Sequence, residues 1–156
     1  MAKAAVDGDL SRGYSVYFSR PGVAVVTWDP TLSAVYAEAQ GWADSTELVE
    51  VLEACVCALT EHHGSRWLVD GRKMKVVNES EQEWIYRDLF PRMLAAGLEH
   101  IALVTPESGL AKMTVDLMLR RRPPTDVDFE YFVTLGAARA WIKRVSTEPA
   151  IKRGRT

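Results

Sequence analysis

Val23-Ala-Val-Val-Thr-Trp28, Asp29-Pro30-Thr31 and Leu32 to Gln40 read as a strand, a turn and a second strand, and the pattern changes at Gly41. In the later strand Leu32, Ala34, Tyr36 and Glu38 share one side, the period of two expected of a half-buried β-strand. Toward the N-terminus, Pro21-Gly22 breaks a run in which Tyr14, Val16 and Phe18 alternate with Ser15, Tyr17 and Ser19. Residues 14–40 therefore predict three strands in an antiparallel meander. Beyond Gly41 the period becomes helical. Asp44 with Glu47 fits a capping box, and Leu48, Leu52, Cys55, Leu59 and His62 fall on one stripe.

Strand and helix then alternate. Trp67-Leu-Val-Asp70 is a short apolar strand that enters the polar loop Gly71-Arg-Lys-Met-Lys75. A helix opening near Ser80 carries Ile85, Leu89, Met93 and Ala96 inward, and Glu83–Arg87 and Asp88–Arg92 are i,i+4 pairs in the favourable order. Pro91 has no N–H to give the carbonyl of Arg87, which predicts a kink or a split there. His100 to Thr105 is the next strand, and Leu110, Met113, Leu117 and Arg121 mark a third helix. Phe129 to Val133 is the last strand, followed by a helix with Ala138, Trp141, Ile142 and Val145 inward. The order β-β-β-α-β-α-β-α-β-α predicts an α/β single domain over residues 14–145: a mixed sheet, meander first and parallel strands after it, with helices packed on it. Residues 1–13 are expected to be a loose N-terminus, and 146–156 a polar basic tail with Lys152, Arg153 and Arg155.

Composition agrees. A chain of 156 residues, 47% apolar and 26% charged, suits one globular domain and excludes a disordered chain or a disulfide miniprotein. A net charge of −2 gives no whole-molecule attraction to nucleic acid, so none is expected as a partner. No apolar run approaches the roughly 20 residues of a transmembrane segment, and the first residues lack the apolar centre of a signal peptide. With two cysteines only, a cytoplasmic location is expected.

The stretch from Trp67 to Gly97 carries a resemblance. Trp67-Leu-Val-Asp-Gly-Arg72, Glu81-Gln-Glu-Trp-Ile85 and Leu89-Phe-Pro-Arg-Met-Leu-Ala-Ala-Gly97 resemble the SpoIIAA-like group of STAS-related proteins. The element order matches from about Val23 to Val145, and the strand at 14–19 looks like an addition. The resemblance implies a fold related to anti-sigma-factor antagonists and to CRAL-TRIO lipid-transfer domains, and a regulatory or ligand-binding module in place of a catalyst. In the phosphorylatable members a strand ends in Asp and a Ser opens the next helix, where a phosphate meets free N–H groups and the helix dipole. Asp70 matches the strand-end Asp. Glu79 stands where that Ser would be, and Ser80 is one residue late, where its first expected role is an N-cap.

Candidate binding residues follow from these placements. Asp70 and Arg72 lie at the carboxyl end of a parallel strand, where open α/β sheets bind ligands, with Asn78 and Ser80 near the same edge. A strand-end Asp–Arg pair that merely braces its loop is the commoner arrangement. Trp84, Phe90 and Arg92 on the second helix offer a pocket wall or a docking face, although large aromatics near strands and helices mostly fill core; Trp42, in a loop, is expected to be partly exposed. Cys55 and Cys57, two apart on a helix, point to different faces and do not make a metal site. His62-His63 and Arg120 to Arg122 end helices, where cations suit the dipole. No nucleophile–base pair, metal or cofactor is indicated, and an enzyme is the third of three readings. The first is a protein-binding module that docks through the loop of Gly71 to Asn78 and the second helix on a partner or, as a homodimer, on another copy. The second is a binder of a small apolar or lipid-like ligand held between the sheet and the helix around Trp84 to Met93. A docking face requires exposed apolar residues on the second or third helix, and a carrier requires an enclosed apolar cavity.

Overall fold

The computed structural model describes residues 14–42, 44–121 and 125–145. The N-terminal segment 1–13 and the tail 146–156 lie outside the described residues. Strands β1 (Ser15–Arg20), β2 (Ala24–Asp29) and β3 (Ala34–Ala39) form the meander. α1 (Ser45–Glu61), β4 (Arg66–Asp70), α2 (Glu79–Trp84), α3 (Phe90–Ala95), β5 (His100–Val104), α4 (Gly109–Arg121), β6 (Asp128–Phe132) and α5 (Leu135–Val145) complete the chain. The six strands lie in sequence order, antiparallel through β3 and parallel from β3 to β6. Each crossover steps one strand in the same direction, so connections of one hand bring their helices to one face of the sheet.

That face carries the larger core. Val26, Trp28, Val35, Trp67 and Ile101 from the strands meet Leu48, Val51, Cys55 and Leu59 of α1 and Ile85, Leu89 and Met93 of the second helical rod, with Met118 of α4 packed against them. On the other face α5 lays Ala138, Trp141, Ile142 and Val145 over Leu32 and the strand residues Ala34, Leu68, Ala102 and Val104.

Local chemistry explains the departures from simple periodicity. In β1 the register shifts between Val16 and Phe18, and this bulge turns both Val16 and Tyr17 inward where alternation would send one of them out. The interruption expected at Pro91 takes the form of a π-helical turn, Ile85–Leu89, between α2 and α3, closed by the Phe90 N–H donating to the Ile85 carbonyl. The extra residue absorbs the missing proline donor without breaking the rod. Asp44 caps α1 by accepting from the Glu47 N–H at 3.0 Å. Trp42 is buried in the core, not partly exposed, because the loop after β3 folds it against the sheet.

Candidate functional site

The β4 strand ends with a buried carboxylate. Asp70 Oδ1 accepts from Arg72 Nε at 2.9 Å and Oδ2 from Arg72 Nη2 at 2.8 Å, a two-pronged fork that closes the turn after the strand. Burial pushes the Asp70 carboxyl up, but the hydrogen bonds and charge of Arg72, with Lys73 nearby, outweigh it and hold the group below the ordinary carboxylate range. Gly71 lets the chain turn so closely: its N–H donates to the Val104 carbonyl at 3.0 Å, and a Cβ there would stand 2.8 Å from that oxygen and from Met74 Sδ. The Arg72 carbonyl in turn accepts from the Glu107 N–H at 3.0 Å, tying this loop to the one before α4.

Eight residues after Asp70, Asn78 caps α2. Its Oδ1 accepts from the Glu81 N–H at 2.9 Å, and Glu81 Oε1 accepts from the Asn78 N–H at 2.9 Å, a complete capping box. Ser80 is therefore not the cap; it sits inside the first turn, exposed, with its hydroxyl donating to Asn78 Oδ1 at 3.1 Å. Glu81 is buried, and its second oxygen accepts from Ser45 Oγ at 2.6 Å, joining the start of α2 to the start of α1. Sequence reasoning gave Glu81 no structural role, although an Asn with a Glu three residues on was the signal for it.

The remaining candidates lie elsewhere. Trp84 and Phe90 are partly buried and pack against the main core. Arg92 forks onto Glu53 of α1 at 2.9 and 2.7 Å, and this pairing holds the Glu53 carboxyl below its usual range. Arg72 and Asn78 share one open groove with Lys73, Lys75, Ser45 and Ser108, while Ser80 borders a different hollow beside Tyr86 and Arg121. Six of the seven residues thus divide among a loop brace, a helix cap, core and an interhelical ion pair, and Ser80 stands exposed in the first turn of α2.

An apolar cavity of about 140 Å³ lies between the sheet and the helices, bordered by Trp42, Leu48, Trp67, Ile85, Phe90 and Val115 among others. It is about the size of an engineered cavity that takes up benzene. The two thiols are free; Cys55 is fully buried, which pushes its pKa up to about 12. Among the described residues no group of three or more His, Cys, Asp or Glu is placed to hold a metal ion, and no helix is long and apolar enough to cross a membrane.

α4 turns a row of apolar residues to solvent. Leu110, Met113 and Leu117 are 59%, 52% and 46% exposed, while the residues it buries are the small Ala111 and Val115. Tyr131 of β6 and Val133 just after it are also exposed, 40% and 82%, and the Tyr131 hydroxyl donates to Asp116 Oδ1 of α4 at 3.1 Å. The Lys112 ammonium, 3.0 Å from Asp116 Oδ2, holds that carboxyl below its ordinary value. The second helical rod, by contrast, turns Ile85, Leu89 and Met93 into the core.

A family model described as SpoIIAA-like matches residues 23–143. No curated protein and no solved structure matches the chain.

Proposed function

The chain belongs to the SpoIIAA-like family, and from that premise we propose that it is a non-catalytic regulatory module that binds another protein chain through α4 and the adjoining edge of β6. The family suggests a module of the anti-sigma-factor-antagonist type. The observation that carries the proposal is the row Leu110, Met113 and Leu117, with Tyr131 and Val133 also exposed. Isolated exposed apolar residues are ordinary, but three in a row along one helix, with Tyr131 tied to that helix through Asp116, favour an interaction surface. The reading assumes a cytoplasmic protein, with which two free thiols are consistent. A photo-cross-linking residue at Met113 should trap a protein in living cells, and the same residue at Val76, in the loop after β4, should trap little. Absence of any protein adduct at position 113 would sink the proposal.

The cavity supports a second reading, a binder of a small apolar molecule. Its volume of about 140 Å³ falls below the roughly 300–1,000 Å³ usual for ligand sites, so a one-ring aromatic suits it better than a lipid chain. Native mass spectrometry followed by organic extraction tests this directly: a retained small molecule supports the reading and a bare chain counts against it.

A further inference from the structure

The apolar cavity and the open groove beside it are built against one another. Trp42 and Met74 line both, so these two side chains are the wall between them. A turn closed by the Met74 N–H donating to the Gly71 carbonyl at 3.1 Å sends Met74 against the core, while Lys73 and Lys75 on either side of it stay exposed. Lys75 lies across Gly41, its Cε 3.4 Å from where a Cβ on that glycine would stand, and so beside Trp42. The other charges around the groove have partners. Arg72 forks onto Asp70 and feels the charge of Glu107, Asp44 caps α1, and Glu81 closes the capping box of α2 and accepts from the Ser45 hydroxyl. Among the described residues neither lysine ammonium has a hydrogen-bond or ion-pair partner.

We propose that cavity and groove form one binding site for a one-ring aromatic acid, with the ring in the cavity and the carboxylate at its mouth beside Lys73 and Lys75. This rests on the small-molecule reading above and deepens it by naming the class of ligand. The cavity decides the inner half. Its volume of about 140 Å³ suits a single ring, and Trp42, Trp67 and Phe90 offer aromatic faces and edges to it. Among the described residues its open wall presents no polar atom, so a polar group on the ligand has to point out through the shared wall. Met74 is the part of that wall able to yield, since its unbranched side chain has three rotatable bonds, whereas Trp42 is buried. A short alkyl spacer between ring and head spans the wall. What the head meets on leaving is a pair of lysines, which favours a carboxylate over an alcohol or an amine.

Isothermal titration of the full chain with phenylpropionate, phenylpropanol and phenylpropylamine at neutral pH tests the proposal. The three share a ring and a spacer and differ in the head. The acid should bind about fivefold more tightly than the alcohol, and the amine should bind most weakly. Lys73→Gln with Lys75→Gln should erase the preference for the acid and leave the alcohol's affinity within about twofold of wild type. Ala37→Leu places a side chain in the cavity and should abolish binding of all three. Thermal melts monitor folding, and Ala39→Leu on the same wall replaces that variant if it fails to fold. Equal affinities for acid and alcohol overturn the assignment of the head. An acid whose binding survives the cavity-filling variant sits outside the cavity and overturns the site. No binding of any of the three at millimolar concentration overturns the proposal as a whole. In that case a different small molecule retained through native mass spectrometry still upholds the small-molecule reading, and a bare chain sinks both.

Discussion

α1 and α4 pack over the same face of the sheet and dispose of their apolar residues in opposite ways. α1 buries Leu48, Val51, Ala54, Cys55, Ala58 and Leu59 and turns Glu50 and Glu61 to solvent. α4 buries only Ala111 and Val115 and leaves Leu110, Met113 and Leu117 outside. Folding of the chain alone accounts for α1, since its large side chains are sealed where burial stabilises most. It accounts for α4 only in part: Met118 packs against the core, while Leu110, Met113 and Leu117 stay about half exposed. The lesson is that one helix of the layer can spend its large apolar residues on the core while its neighbour leaves a row of them outside.

The comparison makes a strong demand of α1. Leu59 is fully buried, and Leu59→Ala should cost about 3 kcal/mol in urea unfolding, as cavity-forming core truncations do. The loop that follows β4 should be nearly as intolerant. Gly71→Ala drives a Cβ against the Val104 carbonyl oxygen, which is backbone and cannot step aside, so a loss of about 2 kcal/mol is expected in the same assay.

Asp70 sharpens the contrast between brace and binding site. Its carboxyl is held below the ordinary range in the fold, so its contribution is complete above the pKa of the unfolded chain and is lost as pH falls through the folded value. Asp70→Asn should lower Tm by roughly 3–6 °C at neutral pH, and the gap should close as the pH drops below about 4. A gap that persists in acid would mean the fork to Arg72 is not what the carboxylate supplies.

Much of this was legible in the residues. The meander, the alternation of helix and strand and the interruption at Pro91 follow from period and from proline's missing donor. The bulge in β1 was not legible, because a register shift depends on the partner strand, and Tyr17 goes inward only in the context of β2. Helical spacing identified α4 through Leu110, Met113 and Leu117, yet spacing says only that these share a face. The face that turns inward carries Ala111 and Val115, with Met118 beside the core, and spacing alone does not single it out. At the candidate site, the bracing role of Asp70 and Arg72 was among the readings offered by sequence. Trp84, Phe90 and Arg92 could not be placed, since their neighbours on α1, α4 and the sheet are distant along the chain.

The smallest expected effect tests the comparison most directly. Leu117→Ala removes as many atoms as Leu59→Ala, and in an isolated helix the change is slightly favourable because Ala is the better helix former. Leu117 is 46% exposed, and the cavity term that makes core truncations costly needs surrounding atoms, which are mostly absent on its outer side. At a dilution where the chain is monomeric, urea unfolding should therefore shift by no more than about 0.5 kcal/mol. With a photo-cross-linker at Met113 in living cells, the same variant should give a lower yield of protein adduct. A loss comparable with that of Leu59→Ala in the dilute experiment would mean that Leu117 is packed within the monomer, and the distinction between the two helices would fail. A negligible loss with an unchanged adduct yield would leave the distinction standing and move the docking contact off Leu117, toward Met113 and Tyr131.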